Sequence, residues 1–189
     1  MLSSCLPRPS RLGFAALALL SLLTACTSTR HPPEALAPLL GDIEQRLALA
    51  TPVALSKWDS GQPVEDRPRE RQVIDRAAER AREWQVDPAW ARQLFADQIE
   101  ASKISQHASL DAWKRQGQAP QTPRLNLATQ IRPALDDLQE RMLQDMAHFA
   151  PYRADGACRQ WLADRQRQVQ GDASYLQAWH QATASLCAR

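Results

Sequence analysis

Arg46 and Lys57 stand 11 residues apart, about three turns of a helix. On a helix they share one face, and Arg46 flanks the apolar stripe of Ile43, Leu47 and Ala50. Gln98, Ser102 and Gln106 recur every four residues, in line and close to Phe95 and Ile99. Asp66, Arg69 and Glu70 open another helical stretch, and Arg132 opens a later one. Amphipathic helices ordinarily keep charge off the core stripe. Each of these residues alone is more often a solvated surface group, and arginine snorkels readily. Gathered in a bundle, they would surround one interior cavity with several cations and uncharged donors. Such a set suits a small anion, because guanidinium groups pair with carboxylates in fixed geometry. The pattern by itself does not name the ligand. It offers little to a metal or redox reading: there is no CxxC, and His31, His107, His148 and His180 lack ligand spacing. No Gly-rich phosphate loop and no internal repeat is present.

The elements that must position these groups read as helices. Residues 34–58 carry Leu39, Leu40, Ile43, Leu47, Ala50 and Ala54 at helical period. Pro52 inside this run removes one backbone donor and predicts a kink. Residues 59–63 (DSGQP) form a turn. A second helix spans about 66–84, with Asp66 as N-cap, Pro68 in the first turn and Val73, Ile74, Ala77, Ala78 and Ala81 inward. Asp87-Pro88 begins a third, whose stripe is Trp90, Ala91, Leu94, Phe95, Ile99 and Ile104 and which extends toward Trp113. After a Gly/Pro/Gln loop at 116–123, a fourth helix covers about 127–149, with Leu135, Leu138, Met142, Leu143 and Met146 inward. Two shorter helices follow, near 157–169 and 172–186. The expectation is an all-α bundle of about six helices, a single domain over residues 34–189.

The chain has 189 residues, 23 Lys+Arg and 21 Asp+Glu. Its 44% hydrophobic content argues against wholesale disorder. Residues 1–25 contain Arg8 and Arg11, no acid, and an apolar run from Leu12 to Leu23. A basic start, a short apolar centre and small residues at the end read as an export signal. The run is too short to prefer spanning a bilayer. Without it the chain is balanced, 21 basic residues against 21 acidic ones, which argues against a nucleic-acid partner held by a basic surface. Leu23-Thr24-Ala25-Cys26 is similar to the bacterial lipobox, so Cys26 is a lipidation candidate, with residues 26–33 as a tether. Ordinary cleavage near Ala25 is the alternative. Cys5 leaves with the signal. In an exported chain the two remaining thiols, Cys158 and Cys187, normally pair and would staple a terminal helical hairpin; two buried free thiols are the alternative.

Three stretches together resemble a known family: Arg46-Leu47-x-x-Ala50-x-x-Val53-Ala54-x-x-Lys57-Trp58, then Pro63-Val64-Glu65-Asp66-x-x-Arg69-Glu70, then Phe95-x-Asp97-Gln98-Ile99-x-Ala101-Ser102-x-x-x-Gln106. They are similar to the all-helical (type II) chorismate mutase family, in its exported monofunctional (gamma) subclass. Arg132-x-x-Leu135-Asp136-x-Leu138 and the Cys158/Cys187 pair also match. The resemblance runs from about Leu39 to Cys187 and is looser in the last third.

The family reaction is an intramolecular [3,3] rearrangement of chorismate to prephenate, which needs no nucleophile, metal or cofactor. The resemblance implies that Arg46 and Arg132 hold the substrate carboxylates, with Arg69 nearby and Ser102 adding a contact. Lys57 would bond the ether oxygen and a carboxylate, and Gln106 would donate to the same oxygen from the opposite side. Glu70, with the Asp66 region, would accept the ring hydroxyl. Pro133 disfavours a helical backbone at Arg132, which would leave Arg132 on the loop entering the helix. The subclass further implies a homodimer with each active site inside one chain, in a periplasmic or otherwise exported location. Two other readings are an isochorismate-pyruvate lyase on the same bundle and a non-catalytic helical envelope lipoprotein that binds partners.

Overall fold

The computed structural model describes residues 31–188. The expected export signal, Cys5, the lipidation candidate Cys26 and most of the 26–33 tether lie outside the described residues. Among the described residues every regular element is helical: α1 (Leu36–Ala48), α2 (Ala50–Ser60), α3 (Arg67–Ala81), α4 (Pro88–Gln116), α5 (Arg132–Phe149), α6 (Cys158–Gln166) and α7 (Ala173–Ala182). A π turn (Leu127–Ile131) leads into α5 and a 3₁₀ turn (Ala150–Tyr152) follows it. None of these helices is long and apolar enough to cross a membrane.

Helix α4, 29 residues and so about 43 Å long, is the central post. It packs against α1, α2, α3 and α7, while α5 lies on α1 and α3. The expected stripes supply the core. Leu39 and Ile43 of α1, Leu94 and Phe95 of α4, Met142, Leu143 and Met146 of α5, and Trp179 of α7 are all fully buried. A smaller cluster joins the ends of α2 and α4 through Ala54, Leu55, Trp113 and Ala119, with Trp58 edge-on to Trp113 at 6.1 Å.

The caps follow the side chains placed to make them. Asp87 accepts from the Ala89 N–H at 2.9 Å, and Pro88 occupies the first turn of α4, where a missing donor is tolerated. Asp66 caps α3 by accepting from the Arg69 N–H at 3.2 Å. Helices α2 and α4 both end at a glycine with positive φ, Gly61 at 66° and Gly117 at 74°, a conformation that costs other residues more.

Two prolines act differently from the sequence expectation. The first helix is broken into α1 and α2 at Leu49, three residues before Pro52, rather than kinked as one unit. Pro52 has no N–H to return to the Ala48 carbonyl, and its ring crowds that carbonyl. The Leu49 N–H instead closes a tight turn on the Arg46 carbonyl at 3.2 Å. Arg132, expected on an entering loop, has helical backbone (φ −62°, ψ −46°). The Ile131 N–H reaches the Asn126 carbonyl at 3.1 Å and the Arg132 N–H reaches the Leu127 carbonyl. This wider π turn relieves the crowding an α turn would place against the Pro133 ring. Asn126 caps it, accepting from the Ala128 and Thr129 N–H groups at 2.9 Å each. Just upstream, Arg124 pins the loop to the end of α2: its Nε donates to Asp59 at 2.7 Å, and its Nη1 to the carbonyls of Pro120 and Thr122.

Cys158 and Cys187 are joined by a disulfide, with Cα atoms 5.8 Å apart. The bond closes the α6–α7 hairpin and holds α7 against α4, where the Gln98 Nε2 donates to the Ala182 carbonyl at 2.6 Å. Closing a loop of 29 residues should stabilise by about 3–4 kcal/mol, on a chain-entropy account. A Cys158→Ser/Cys187→Ser double variant is expected to unfold about 10 °C lower in a calorimetric scan; an unchanged Tm would contradict this.

Candidate active site

All eight residues assigned to binding and chemistry from the sequence line one cavity, enclosed by α1 to α5. Arg46 comes from α1, Lys57 from α2, Asp66 from the α3 cap, and Arg69 and Glu70 from the first turn of α3. Ser102 and Gln106 come from α4, and Arg132 from the start of α5. The cavity and its open mouth together hold about 890 Å³ of space not filled by protein atoms. Leu49, Val53, Val64, Val73, Ile99, Leu127 and Leu135 complete the wall. Val73, Ile99 and Leu135 are therefore only half-buried, although periodicity placed them inward. They face the cavity rather than the core.

Arg46 is the most constrained of the cations, at 8% exposed. Its guanidinium lies 5.7 Å from the centre of the Phe95 ring, and Nη1 donates to the Leu135 carbonyl at 3.5 Å. Its Nε is buried with no partner. Among the described residues it makes no ion pair. Burial lowers its pKa to about 10, with the Asp136 charge opposing the shift and Arg69 adding to it. It remains a cation at neutral pH. Lys57 and Arg132 are half-buried and also lack an ion pair among the described residues. Arg69 differs: it reaches Asp136 at 3.5 Å and Gln72 at 2.9 Å.

Gln106 is 5% exposed. Its amide NH₂ donates to the Ser102 hydroxyl at 2.9 Å, while Oε1 is buried without a partner. Turning the amide over exchanges these roles. Ser102 then donates to Oε1, and the NH₂ takes the unpartnered place. Gln106 can thus present a donor to a ligand while Ser102 holds its other end.

Asp66 and Glu70 together cap the start of α3. The Glu70 Oε1 accepts from the Asp66 N–H at 3.0 Å, and the Asp66 carboxylate accepts from the Arg69 N–H. This is a capping box one residue longer than the usual spacing. Asp66 therefore spends both its carboxylate and its N–H on shaping the turn that carries Glu70.

The alignment of Gln98 with Ser102 and Gln106 does not hold in space. Eight residues on an α-helix leave about 80° between the end positions. Gln98 turns away from the cavity and is buried against α7. The cavity face of α4 is Ile99, Ser102, Lys103 and Gln106, the i, i+3, i+4, i+7 set. Lys103, Asp136 and Gln139 line the cavity without having been singled out from the sequence. The i+4 rule applied from Ile99 would have found Lys103. Asp136 lay inside the matched Arg132–Leu138 stretch, one turn beyond Arg132.

A helical bundle enclosing a neutral amide donor and three cations that lack ion pairs among the described residues has the chemistry to hold a small polyanion. Comparison with known proteins places that class more narrowly. The family model for chorismate mutase type II matches residues 37–107. A secreted chorismate mutase of Mycolicibacterium smegmatis is 31% identical over 93% of this chain and 99% of its own length. One from Mycobacterium tuberculosis is 29% identical over 96% of each chain. The crystal structure of a chorismate mutase from Burkholderia phymatum superposes with a TM-score of 0.77 at 42% identity, covering 82% of this chain and 97% of that one. The chain belongs to the chorismate mutase family.

Keeping the Arg46 charge buried carries a cost. The unfolded chain holds that proton more tightly, so this group opposes folding below about pH 10. The opposition fades as pH rises from there toward the ordinary guanidinium range. The shift corresponds to something on the order of 3 kcal/mol. Arg46→Met is therefore expected to raise Tm by a few degrees in the ligand-free protein. A lower Tm would mean that the Phe95 and Leu135 contacts outweigh desolvation.

Proposed function

We infer that the protein is an exported chorismate mutase that rearranges chorismate to prephenate. The observation that carries this reading is the buried Arg46 guanidinium, which has no carboxylate of its own and shares its cavity with Lys57, Arg132 and the Gln106 amide. The substrate is a dianion. In the transition state its ether C–O bond breaks while a C–C bond forms in the same molecule, and negative charge builds on the ether oxygen. A site for this step must hold both carboxylates, compress the flexible ether into reactive shape, and place donors at that oxygen before reaction begins.

Arg46 and Arg132 take the carboxylates. Lys57 bridges a carboxylate and the ether oxygen, and Gln106 donates to that oxygen from across the cavity. Ser102 orients Gln106. Glu70 accepts the ring hydroxyl, and Arg69, held by Asp136, contributes positive potential behind the carboxylates. An acceleration of about 10⁶-fold corresponds to roughly 8 kcal/mol. One prearranged donor at the developing charge supplies about 3–4 kcal/mol, so two donors and a fixed orientation account for it. The site works within one chain, and a homodimer would repeat it rather than complete it. Secretion, which both mycobacterial relatives carry in their names, agrees with the signal-like residues 1–25. Lipid on Cys26 would tether the enzyme to a membrane, and lipid-precursor labelling lost in Cys26→Ser tests that.

Purified residues 27–189 are expected to consume chorismate, followed by ultraviolet absorbance, with prephenate formed in equal amount. Pyruvate release from isochorismate would instead identify a lyase, and no turnover a binding protein. Lys57→Ala and Gln106→Ala should each lower kcat by about 10²–10³-fold, since they act on charge present mainly in the transition state. Arg132→Ala should mainly raise KM. Near-normal kcat in Lys57→Ala would refute its assignment. Because the Gln106 amide donates at any pH, kcat should be flat from mildly acidic to mildly alkaline solution. Gln106→Glu should confine activity to the acidic side, where the carboxyl is protonated.

A further inference from the structure

Lys103 is the one cation on the cavity face of α4, and its surroundings differ from those of Arg46, Lys57 and Arg132. Its Nζ lies 3.4 Å from the Glu70 Oε2 and 2.6 Å from the Glu100 Oε1. Burial alone would lower its pKa, but Glu100 and Glu70 together outweigh burial and hold it above the ordinary lysine range. Its side chain is 16% exposed and that of Glu70 is 21%. Flanked by two carboxylates, Lys103 adds little net positive charge to the cavity. What it adds is a second point of attachment for Glu70. One oxygen of that carboxylate is held by the Asp66 N–H at the head of α3, and the other by Lys103 from the middle of α4. A glutamate has three rotatable side-chain bonds, and gripping both oxygens from two helices leaves the carboxylate one placement.

We propose that Lys103 is a positioning residue that sets Glu70 as the acceptor for the substrate's ring hydroxyl, with Glu100 anchoring the ammonium from the solvent side. This rests on the mutase reading above. The hydroxyl does not change during the rearrangement, so the contact is made equally in ground and transition states. Its loss therefore falls on KM rather than kcat.

The test uses the mature chain and begins with the wild type, whose failure to turn over chorismate would sink the mutase reading itself. Lys103→Met should raise KM about tenfold with kcat within about threefold, and Lys103→Arg should recover most of the loss. Lys103→Gln serves in the same way if the methionine variant does not fold by circular dichroism. Glu70→Gln should raise KM similarly, and the Lys103→Met/Glu70→Gln double variant should be no worse than Glu70→Gln alone. With a chorismate analogue lacking the ring hydroxyl, wild type and Lys103→Met should have equal KM. Losses that add in the double variant, or that persist with the analogue, would overturn the proposal in favour of direct contact between Lys103 and a substrate carboxylate. An unchanged KM in Lys103→Met would overturn it outright.

Discussion

The constraint around which the structure is arranged is a guanidinium buried without an ion-pair partner among the described residues. Arg46 sits where the α1 stripe would otherwise continue as core. Its neighbours only partly offset the cost of burial: an aromatic face, one carbonyl at the edge of hydrogen-bonding range, and the more distant Asp136. A fold built for stability alone would place an apolar side chain there. Helices α1 to α5 instead enclose a cavity whose walls are apolar and whose polar groups converge. Low polarity in the walls strengthens every charge interaction inside.

Around that constraint the charges fall into two sets. Arg46, Lys57 and Arg132 are unpaired among the described residues, while Arg69 and Lys103 are already matched to acids, Asp136 on α5 and Glu70 with Glu100. Unpaired cations have favourable energy in reserve for an incoming anion. Paired cations shape the cavity and hold its acids still. Gln106, uncharged and half-satisfied, supplies a donor whose availability does not depend on protonation. A net charge count cannot register this separation, because the chain is balanced in total and uneven only in placement.

Much of the fold was legible because apolar residues recur at helical spacing and the cap residues are unambiguous. Asp66 and Asp87 both cap the helices their positions announce. The departures arise where local geometry depends on more than periodicity. Pro52 acts on the carbonyl four residues earlier, so the break falls at Leu49 and not at the proline. The π turn before Arg132 depends on the Asn126 cap and the Arg124 clamp to Asp59, a pairing 65 residues apart that no local pattern reveals. Gln98 departs from the Ser102/Gln106 line because spacing by fours drifts around a helix, and Lys103 follows from Ile99 at i+4, although its Glu70 partner on α3 does not show in the local pattern. Of the residues lining the cavity, the eight assigned from the sequence were legible through family resemblance more than through physics. Periodicity located a polar face on each helix but could not show which faces meet.

At the start of α3 the Asp66 N–H donates to the Glu70 carboxylate and the Arg69 N–H donates to the Asp66 carboxylate, which makes this turn a cap and part of a cavity wall at once. Helix ends are where fraying begins. Here fraying would release Glu70 from the Asp66 amide, so the loosest turn of the helix and the shape of the cavity rise and fall as one equilibrium. Occupancy of the cavity would consequently be written into amide hydrogen exchange at Arg69 and Glu70, two positions whose protection reports on the site from the backbone.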